Sequence, residues 1–173
     1  EATVGGAIPV LSTIADHAGD VSAVRGVLNG TANFILSRMS TEGLDYEHIL
    51  AEAQDLGVAE DDPSFDVQGT DTAMKCVILA NVLHDGGYTL ADAKVEGIED
   101  LPGSALEVAS LDGNTIRLLG EVSADGTIRV GPRLVSENSS LAVSGTDNIV
   151  QFEMEYAEML NLSGQGAGGH ETA

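Results

Sequence analysis

Basic residues are scarce in this 173-residue sequence. Lysine and arginine together number seven, against 28 aspartate and glutamate residues, and the formal net charge is −21. So acidic a surface repels a phosphate backbone, which argues against nucleic acid as a partner. Acid-rich, lysine-poor surfaces are typical of proteins adapted to high salt, because salt screens the repulsion among the acids. The composition therefore suggests a salt-adapted source.

Cysteine and long apolar runs are also scarce. The single cysteine, Cys76, excludes a disulfide within the chain. Its place inside a short apolar run predicts a small buried side chain. No apolar run approaches the roughly 18 residues that a membrane-spanning helix needs, and no signal peptide is recognisable. These absences predict a cytoplasmic protein that does not bind a membrane.

The hydrophobic residues that are present, 43% of the chain, recur at helix and strand spacings with the acids distributed among them. This pattern is typical of a folded domain, and the length suits a single one. Helices are predicted at Ile8 to His17, from a Thr31 cap to Gly43, from an Asp45 cap to Leu56, from Asp71 to His84 and at Pro102 to Leu111. Strands are predicted at Ser22 to Leu28, Thr115 to Ser123, Thr127 to Val135, Asn148 to Glu155 and Glu158 to Leu162. We expect an α+β fold with a mainly antiparallel or mixed sheet and helices packed on one face.

The stretch from Glu60 to Lys75 concentrates the polar side chains that can carry chemistry. Asp71 and Lys75 are four residues apart, so they share one face of a helix at the start of the apolar run. Asp66 lies on the turn-rich approach to that helix. A lysine held near carboxylates in a partly dry cleft can bind a polar substrate and transfer a proton. The residues alone leave a second interpretation open, an ordinary ion pair at a helix end worth roughly 0.2 to 0.5 kcal/mol.

Five segments of the sequence, in order and spacing, resemble a known family. They are E-A-T-V-G-G-A-I-P at Glu1 to Pro9, V-L-N-G-T-A-N at Val27 to Asn33, E-D-D-P-S-F-D-V-Q-G-T-D-T-A-M-K at Glu60 to Lys75, I-R-L-L-G-E-V at Ile116 to Val122 and G-Q-G-A-G-G at Gly164 to Gly169. With these segments the chain resembles the catalytic, substrate-binding domain of homoserine dehydrogenase over essentially its whole length. The resemblance implies one catalytic and dimerisation domain at residues 1–173.

The resemblance also implies a reaction. Homoserine dehydrogenases interconvert L-homoserine and L-aspartate 4-semialdehyde with NAD or NADP, on the route to threonine and methionine. By resemblance, Lys75 and Asp71 are the catalytic residues, and Lys75 donates a proton to the developing alkoxide. Glu60, Asp66 and Asp71 bind the substrate, and a cationic amino group facing carboxylates suits that role.

Ligand positions follow from the same resemblance. Gly57 and Gly168 correspond to positions that contact the cofactor. A monovalent cation such as sodium is expected at Glu1, Val4, Gly6 and Ile8, through a carboxylate and backbone carbonyls, since hard cations favour oxygen ligands.

The family's nucleotide-binding Rossmann domain has no counterpart in these 173 residues. The run Gly164-x-Gly166-x-x-Gly169 matches a dinucleotide-binding fingerprint only superficially, because that motif needs a following helix and a second strand. We therefore expect a fragment that is inactive alone and that forms homodimers. Two alternatives stay open: a non-catalytic dimerisation or regulatory domain of the same fold, and the substrate domain of another NAD(P)-dependent amino-acid aldehyde reductase.

The net charge of −21 generates a prediction about salt. Between about 0.1 M and 1 M KCl the Debye length falls from roughly 10 to 3 Å, which screens repulsion among surface acids. We expect the melting temperature followed by circular dichroism to rise steadily over that range and the protein to unfold in low salt. Full stability in salt-free buffer would contradict salt adaptation.

Overall fold

A computed structural model describes residues 2–17, 19–156 and 159–166. Seven α-helices are present in these residues: α1 (Ala2–Gly5), α2 (Val10–Asp16), α3 (Gly30–Glu42), α4 (Tyr46–Asp55), α5 (Ser64–Val67), α6 (Thr70–His84) and α7 (Gly103–Leu111). Six strands accompany them: β1 (Val21–Val27), β2 (Ala93–Val95), β3 (Asn114–Val122), β4 (Ile128–Ser136), β5 (Asp147–Met154) and β6 (Met159–Gln165). A 3-10 turn, Leu90–Asp92, precedes β2. Within the described ranges, no helix combines the length and apolarity that crossing a membrane requires.

The six strands form one sheet in the order β2-β4-β3-β1-β5-β6. Every neighbouring pair is antiparallel except β2 and β4, which are parallel. Strand β1 is central, because Val24 pairs with Val122 of β3 on one side and with Phe152 of β5 on the other. The predicted α+β fold with a mainly antiparallel or mixed sheet is confirmed.

The helices pack on one face of this sheet, as predicted. Alternate residues of β3, Ile116, Leu118 and Val122, join the main core with the buried side chains of the helices. The opposite face carries a smaller cluster around Leu119, and none of its described members comes from a helix. Strand residues alternate between faces, so β3 serves two cores and nearly all its residues are buried.

A buried arginine fixes the loop that covers the smaller cluster. The Arg117 guanidinium donates hydrogen bonds to the Val143 carbonyl (2.8 Å), the Ile116 carbonyl (2.8 Å) and the Thr115 hydroxyl (2.7 Å). Burial lowers the pKa of Arg117 to about 10. It stays charged at neutral pH, and its hydrogen bonds replace the water that burial removes.

All five predicted helices and all five predicted strands agree with the structure to within a few residues. Gly43 ends α3 in the left-handed conformation that favours glycine (φ 65°), as expected. The predicted cap Thr31 is wrong, because Asn29 caps α3 by accepting a hydrogen bond from the Ala32 amide at 2.8 Å. Thr31 lies inside the helix and donates to the Val58 carbonyl (3.1 Å) instead.

Three short elements differ from expectation. The segment Ala2–Gly5 is helical, although its residues are strand-like. The one-turn helix α5 and the three-residue strand β2 were not predicted. Each is too short to show a periodicity, and β2 depends on its pairing with β4.

Gly120 permits the close approach of α6 to β3 and generates a stability prediction. A Cβ atom at this position would lie 2.5 Å from the Cys76 sulfur and 2.8 Å from the Thr72 Cγ2. We expect Gly120→Ala to lower the free energy of unfolding in urea by about 1–3 kcal/mol, because a packed core tolerates added volume poorly. Gly87→Ala is the matched control, since a Cβ there would meet nothing within 4 Å. Equal stability of the two variants would contradict this packing.

Candidate active site

The side chain of Lys75 is held in a cleft by two hydrogen bonds. Its ammonium nitrogen lies 2.7 Å from Asp71 Oδ2, one turn earlier on α6, and donates to the Leu28 carbonyl, also at 2.7 Å. Only 18% of the Lys75 side chain and 20% of the Asp71 side chain are exposed. The lysine is therefore directed inward, as the sequence predicts. An ammonium group has three donors, and these two contacts use two of them.

Asn29 connects the two carboxylates of the cleft. Its Nδ2 donates to Asp66 Oδ1 at 2.7 Å and to Asp71 Oδ2 at 2.8 Å. Its Oδ1 at the same time caps α3 through the Ala32 amide. One side chain therefore ties the start of α3 to α5 and α6 and fixes the distance between Asp66 and Asp71.

The arrangement leaves acceptors free for a ligand. In the described part of the chain, no donor forms a hydrogen bond with Asp66 Oδ2 or Asp71 Oδ1, whereas the other oxygen of each carboxylate is engaged. With Lys75 included, the three ionised groups carry one net negative charge. A positively charged substrate group is therefore favoured beside the carboxylates.

A cleft of about 470 Å³ opens onto these groups. Its walls come from the end of β1 and start of α3, the loop after α4, helices α5 and α6, and the end of the β5–β6 pair where β5 begins and β6 ends. The lining residues are Leu28, Asn29, Gly30, Thr31, Gly57, Val58, Asp66, Asp71, Lys75, Thr146, Asn148 and Gly166. A small polar substrate fits this volume, and polar groups converge on it from several elements.

The structure brings together four of the ten predicted site residues in this cleft. Lys75, Asp71 and Asp66 share the cleft with Gly57, whose φ of 71° requires a glycine and where a Cβ would meet nothing within 4 Å. The wall at Gly57 therefore has room for a second ligand, as a cofactor position needs. Glu60 does not line the cleft, because its side chain is exposed on the loop after α4.

The predicted cation ligands belong to the first eight residues of the chain, and Gly6 among them lies against the end of β6. Gly6 has φ 58°, and a Cβ there would come within 2.8 Å of the Gln165 and Gly166 carbonyl oxygens. The Ile8 carbonyl accepts a hydrogen bond from the Val10 amide at 2.8 Å. In residues 2–17, 19–156 and 159–166, side chains of His, Cys, Asp or Glu form no group of three that could hold a metal ion. Glu1 and the cofactor position Gly168 lie outside the described residues.

Sequence reasoning missed two asparagines that line the cleft. Asn29 belongs to the segment V-L-N-G-T-A-N, where a turn and helix start are visible, but its contacts with Asp66 and Asp71 depend on residues about 40 positions later. Asn148 is completely buried and lies in a stretch recognisable only as a strand. The sequence contains no local signal for either role.

Comparisons with known proteins identify the family of this chain. The family model described as homoserine dehydrogenase matches residues 9–173. A homoserine dehydrogenase from Methanocaldococcus jannaschii is 45% identical over 177 aligned positions, which cover 100% of this chain and 52% of that protein. The crystal structure of a homoserine dehydrogenase from Thiobacillus denitrificans superposes with a TM-score of 0.95 at 34% identity, over 99% of this chain and 41% of the other. A hyperthermophilic archaeal homoserine dehydrogenase in complex with NADPH gives a TM-score of 0.85 at 29% identity, over 98% of this chain and 50% of the other.

The chain is thus an α+β domain with a partly buried lysine in an acidic cleft, and the proteins that it matches are oxidoreductases. The chain belongs to the homoserine dehydrogenase family. It spans about half the length, or less, of the relatives that it matches.

Burial of Cys76, the residue after the site lysine, generates a prediction about its reactivity. Desolvation raises the pKa of the thiol to about 12, and the side chain is 1% exposed. Because the thiolate is the reactive form, we expect no alkylation of the Cys76 peptide by iodoacetamide at pH 8 in the folded protein, and full alkylation in urea. Peptide mapping by mass spectrometry measures both. Rapid labelling without denaturant would contradict the packing of α6 against β3.

Proposed function

We propose that the protein containing this domain interconverts L-homoserine and L-aspartate 4-semialdehyde with NAD or NADP. The observation that carries the proposal is Lys75, held between Asp71 and the Leu28 carbonyl in a cleft that also contains Asp66. Family membership supplies the reaction class, and the cleft supplies groups that suit both halves of the substrate. The ammonium group of the substrate would face the carboxylates of the cleft, and its hydroxyl or aldehyde oxygen would face Lys75.

In the proposed binding mode, the substrate's ammonium group lies between Asp66 and Asp71. Their free oxygens, Asp66 Oδ2 and Asp71 Oδ1, accept its hydrogen bonds, while Asn29 keeps the carboxylates in place. Charge-assisted hydrogen bonds of this kind are roughly twice as strong as neutral ones. Glu60 is proposed as a further carboxylate that binds the substrate. Its side chain is exposed on a loop, so it would have to turn towards the cleft.

Lys75 handles the proton in the proposed mechanism. In the reducing direction, C4 of the aldehyde accepts a hydride, and the carbonyl oxygen takes a proton from Lys75 Nζ to become the hydroxyl group. Lys75 is left neutral and regains a proton from solvent through the open side of the cleft. In the oxidising direction the neutral amine accepts the hydroxyl proton as hydride leaves C4. Asp71 orients Lys75 by accepting its hydrogen bond at 2.7 Å.

A nicotinamide cofactor, when bound, supplies or accepts the hydride. Gly57 would contribute to its place, because this wall of the cleft is bare backbone with open space in front of it. Gly168 is the second position proposed to contact the cofactor. The NADPH complex of a relative with the same fold supports a nicotinamide cofactor in this cleft, and we propose NADP as one of its forms alongside NAD.

Several further properties belong to the proposal. Residues 1–173 act as one catalytic and dimerisation domain. The sheet face opposite the helices offers a dimer surface. It carries a depression of about 370 Å³ that is lined by residues such as Arg25, Gln151 and Met159. A monovalent cation such as sodium binds at Glu1, Val4, Gly6 and Ile8. The protein acts in the cytoplasm, in threonine and methionine biosynthesis. The intact lysine–carboxylate cluster argues against a non-catalytic regulatory domain.

The two lysines of the chain allow a matched test. In the full-length protein, we expect Lys75→Ala and the more shape-conserving Lys75→Met to lower kcat for homoserine oxidation by roughly 10²- to 10⁴-fold, because general acid–base catalysis contributes about that much. Lys94→Ala is the control, since Lys94 is exposed on β2 and does not line the cleft. Spectrophotometry of NADH or NADPH formation measures the rates, and circular dichroism checks the fold. Unchanged turnover in a folded Lys75 variant would contradict the assignment.

A further inference from the structure

Asn148 is completely buried, and its side-chain amide has no hydrogen-bond partner among the residues that the structure describes. In the described part of the chain, neither its Nδ2 nor its Oδ1 forms a hydrogen bond, although the residue is 0% exposed and lines the cleft that contains Lys75. Leaving a buried donor or acceptor unsatisfied is unfavourable by about 1–3 kcal/mol. A polar side chain in this state beside a ligand cleft therefore indicates a group that the ligand satisfies.

The surroundings hold Asn148 in a fixed position. Its backbone lies in β5 opposite Gly164 of β6. The residue before it is anchored by Asn33, whose Nδ2 donates to the Asp147 carbonyl (3.1 Å) and the Gly145 carbonyl (3.0 Å). At Gly166 a Cβ would lie 2.1 Å from Asn148 Nδ2, so the absence of a side chain there leaves room for the amide.

We propose that Asn148 binds the carboxamide group of the nicotinamide cofactor. The inference rests on the proposed function, since it requires a nicotinamide in this cleft. Asn148 offers one donor group and one acceptor, and both need a partner. A carboxamide carries the complementary acceptor and donor on adjacent atoms, so a single ligand group satisfies both.

The substrate is a poorer match for the same amide. Its ammonium group is directed to the carboxylates of Asp66 and Asp71, and its remaining carboxylate has only acceptors. A carboxylate would satisfy Asn148 Nδ2 and leave Oδ1 buried without a donor. The amide beside Gly166 therefore matches the cofactor's carboxamide better than either charged group of the substrate.

The test uses the full-length protein and a cofactor analogue that lacks the amide donor. In 3-acetylpyridine adenine dinucleotide phosphate a methyl group replaces the NH₂ of the carboxamide. The variant Asn148→Leu removes both polar atoms at similar volume. Asn161→Ala is the control, since Asn161 is exposed on β6. Fluorescence titration measures the dissociation constants of NADPH and of the reduced analogue for each protein. The melting temperature of each protein is measured without ligand.

We expect the wild-type protein and Asn161→Ala to bind NADPH about tenfold more tightly than the analogue, which corresponds to one hydrogen bond. In Asn148→Leu that ratio falls to about one. The ligand-free Asn148→Leu protein melts at the same or a higher temperature than wild type, because an unsatisfied buried amide has been replaced by an apolar group. A structural role for Asn148 would instead lower the melting temperature.

Two binding results would also overturn the inference. One is an unchanged preference for NADPH over the analogue in folded Asn148→Leu. The other is a raised KM for homoserine with unchanged cofactor dissociation constants, which would assign the amide to the substrate. Homoserine turnover by the wild-type protein tests the proposed function separately from the role of Asn148. A wild type that binds NADPH but does not oxidise homoserine would contradict the proposed reaction itself.

Discussion

The ion pair between Lys75 and Asp71 is the interaction on which the candidate site depends. Burying two charges is unfavourable by several kcal/mol for each ion, unless hydrogen bonds replace the lost water. Here the Leu28 carbonyl and the Asn29 amide complete the pair at 2.7 and 2.8 Å. The end of β1 and the start of α3 are thereby fixed against α6, and the fold holds the ammonium group of Lys75 in the cleft.

This arrangement explains why the site lies where strand, helix and loop meet. Strand β1 is central in the sheet and ends at Val27. The carbonyl of the next residue, Leu28, accepts a hydrogen bond from Lys75, and Asn29 then caps α3. Helix α6 lies against β3 because Gly120 lets the backbone of the strand approach Cys76. The core packing and the polar cluster therefore constrain the same helix, the first on its buried face and the second at its start.

Much of the fold could be predicted from the sequence, because its longer elements show clear periodicity. The α6 helix and the β3–β4 hairpin are examples, and Gly43 and Gly57 marked helix ends correctly. The caps and the shortest elements could not be predicted in this way. Asn29 and Thr31 are both good caps by residue type, and the choice depends on tertiary contacts with Asp66, Asp71 and Val58.

The candidate site was predictable to a smaller extent. The spacing of Asp71 and Lys75 places both on one helix face, and a local pattern is sufficient for that. Asn148 comes from a strand 73 positions after Lys75, so only the sheet topology brings it to the cleft. The resemblance supplied Gly57, whose position in the cleft no local pattern indicates. Glu60 shows the opposite case, since proximity in sequence to Lys75 does not place its side chain in the cleft.

A crystal structure of the full-length protein with homoserine and an oxidised cofactor tests the central claim most directly. The measurement is the distance from Lys75 Nζ to the homoserine hydroxyl oxygen. We expect a hydrogen bond of about 2.6–3.2 Å, with the ammonium group on Asp66 and Asp71. A substrate bound with its hydroxyl beyond hydrogen-bond reach of Lys75, or with its ammonium group away from both carboxylates, would contradict it.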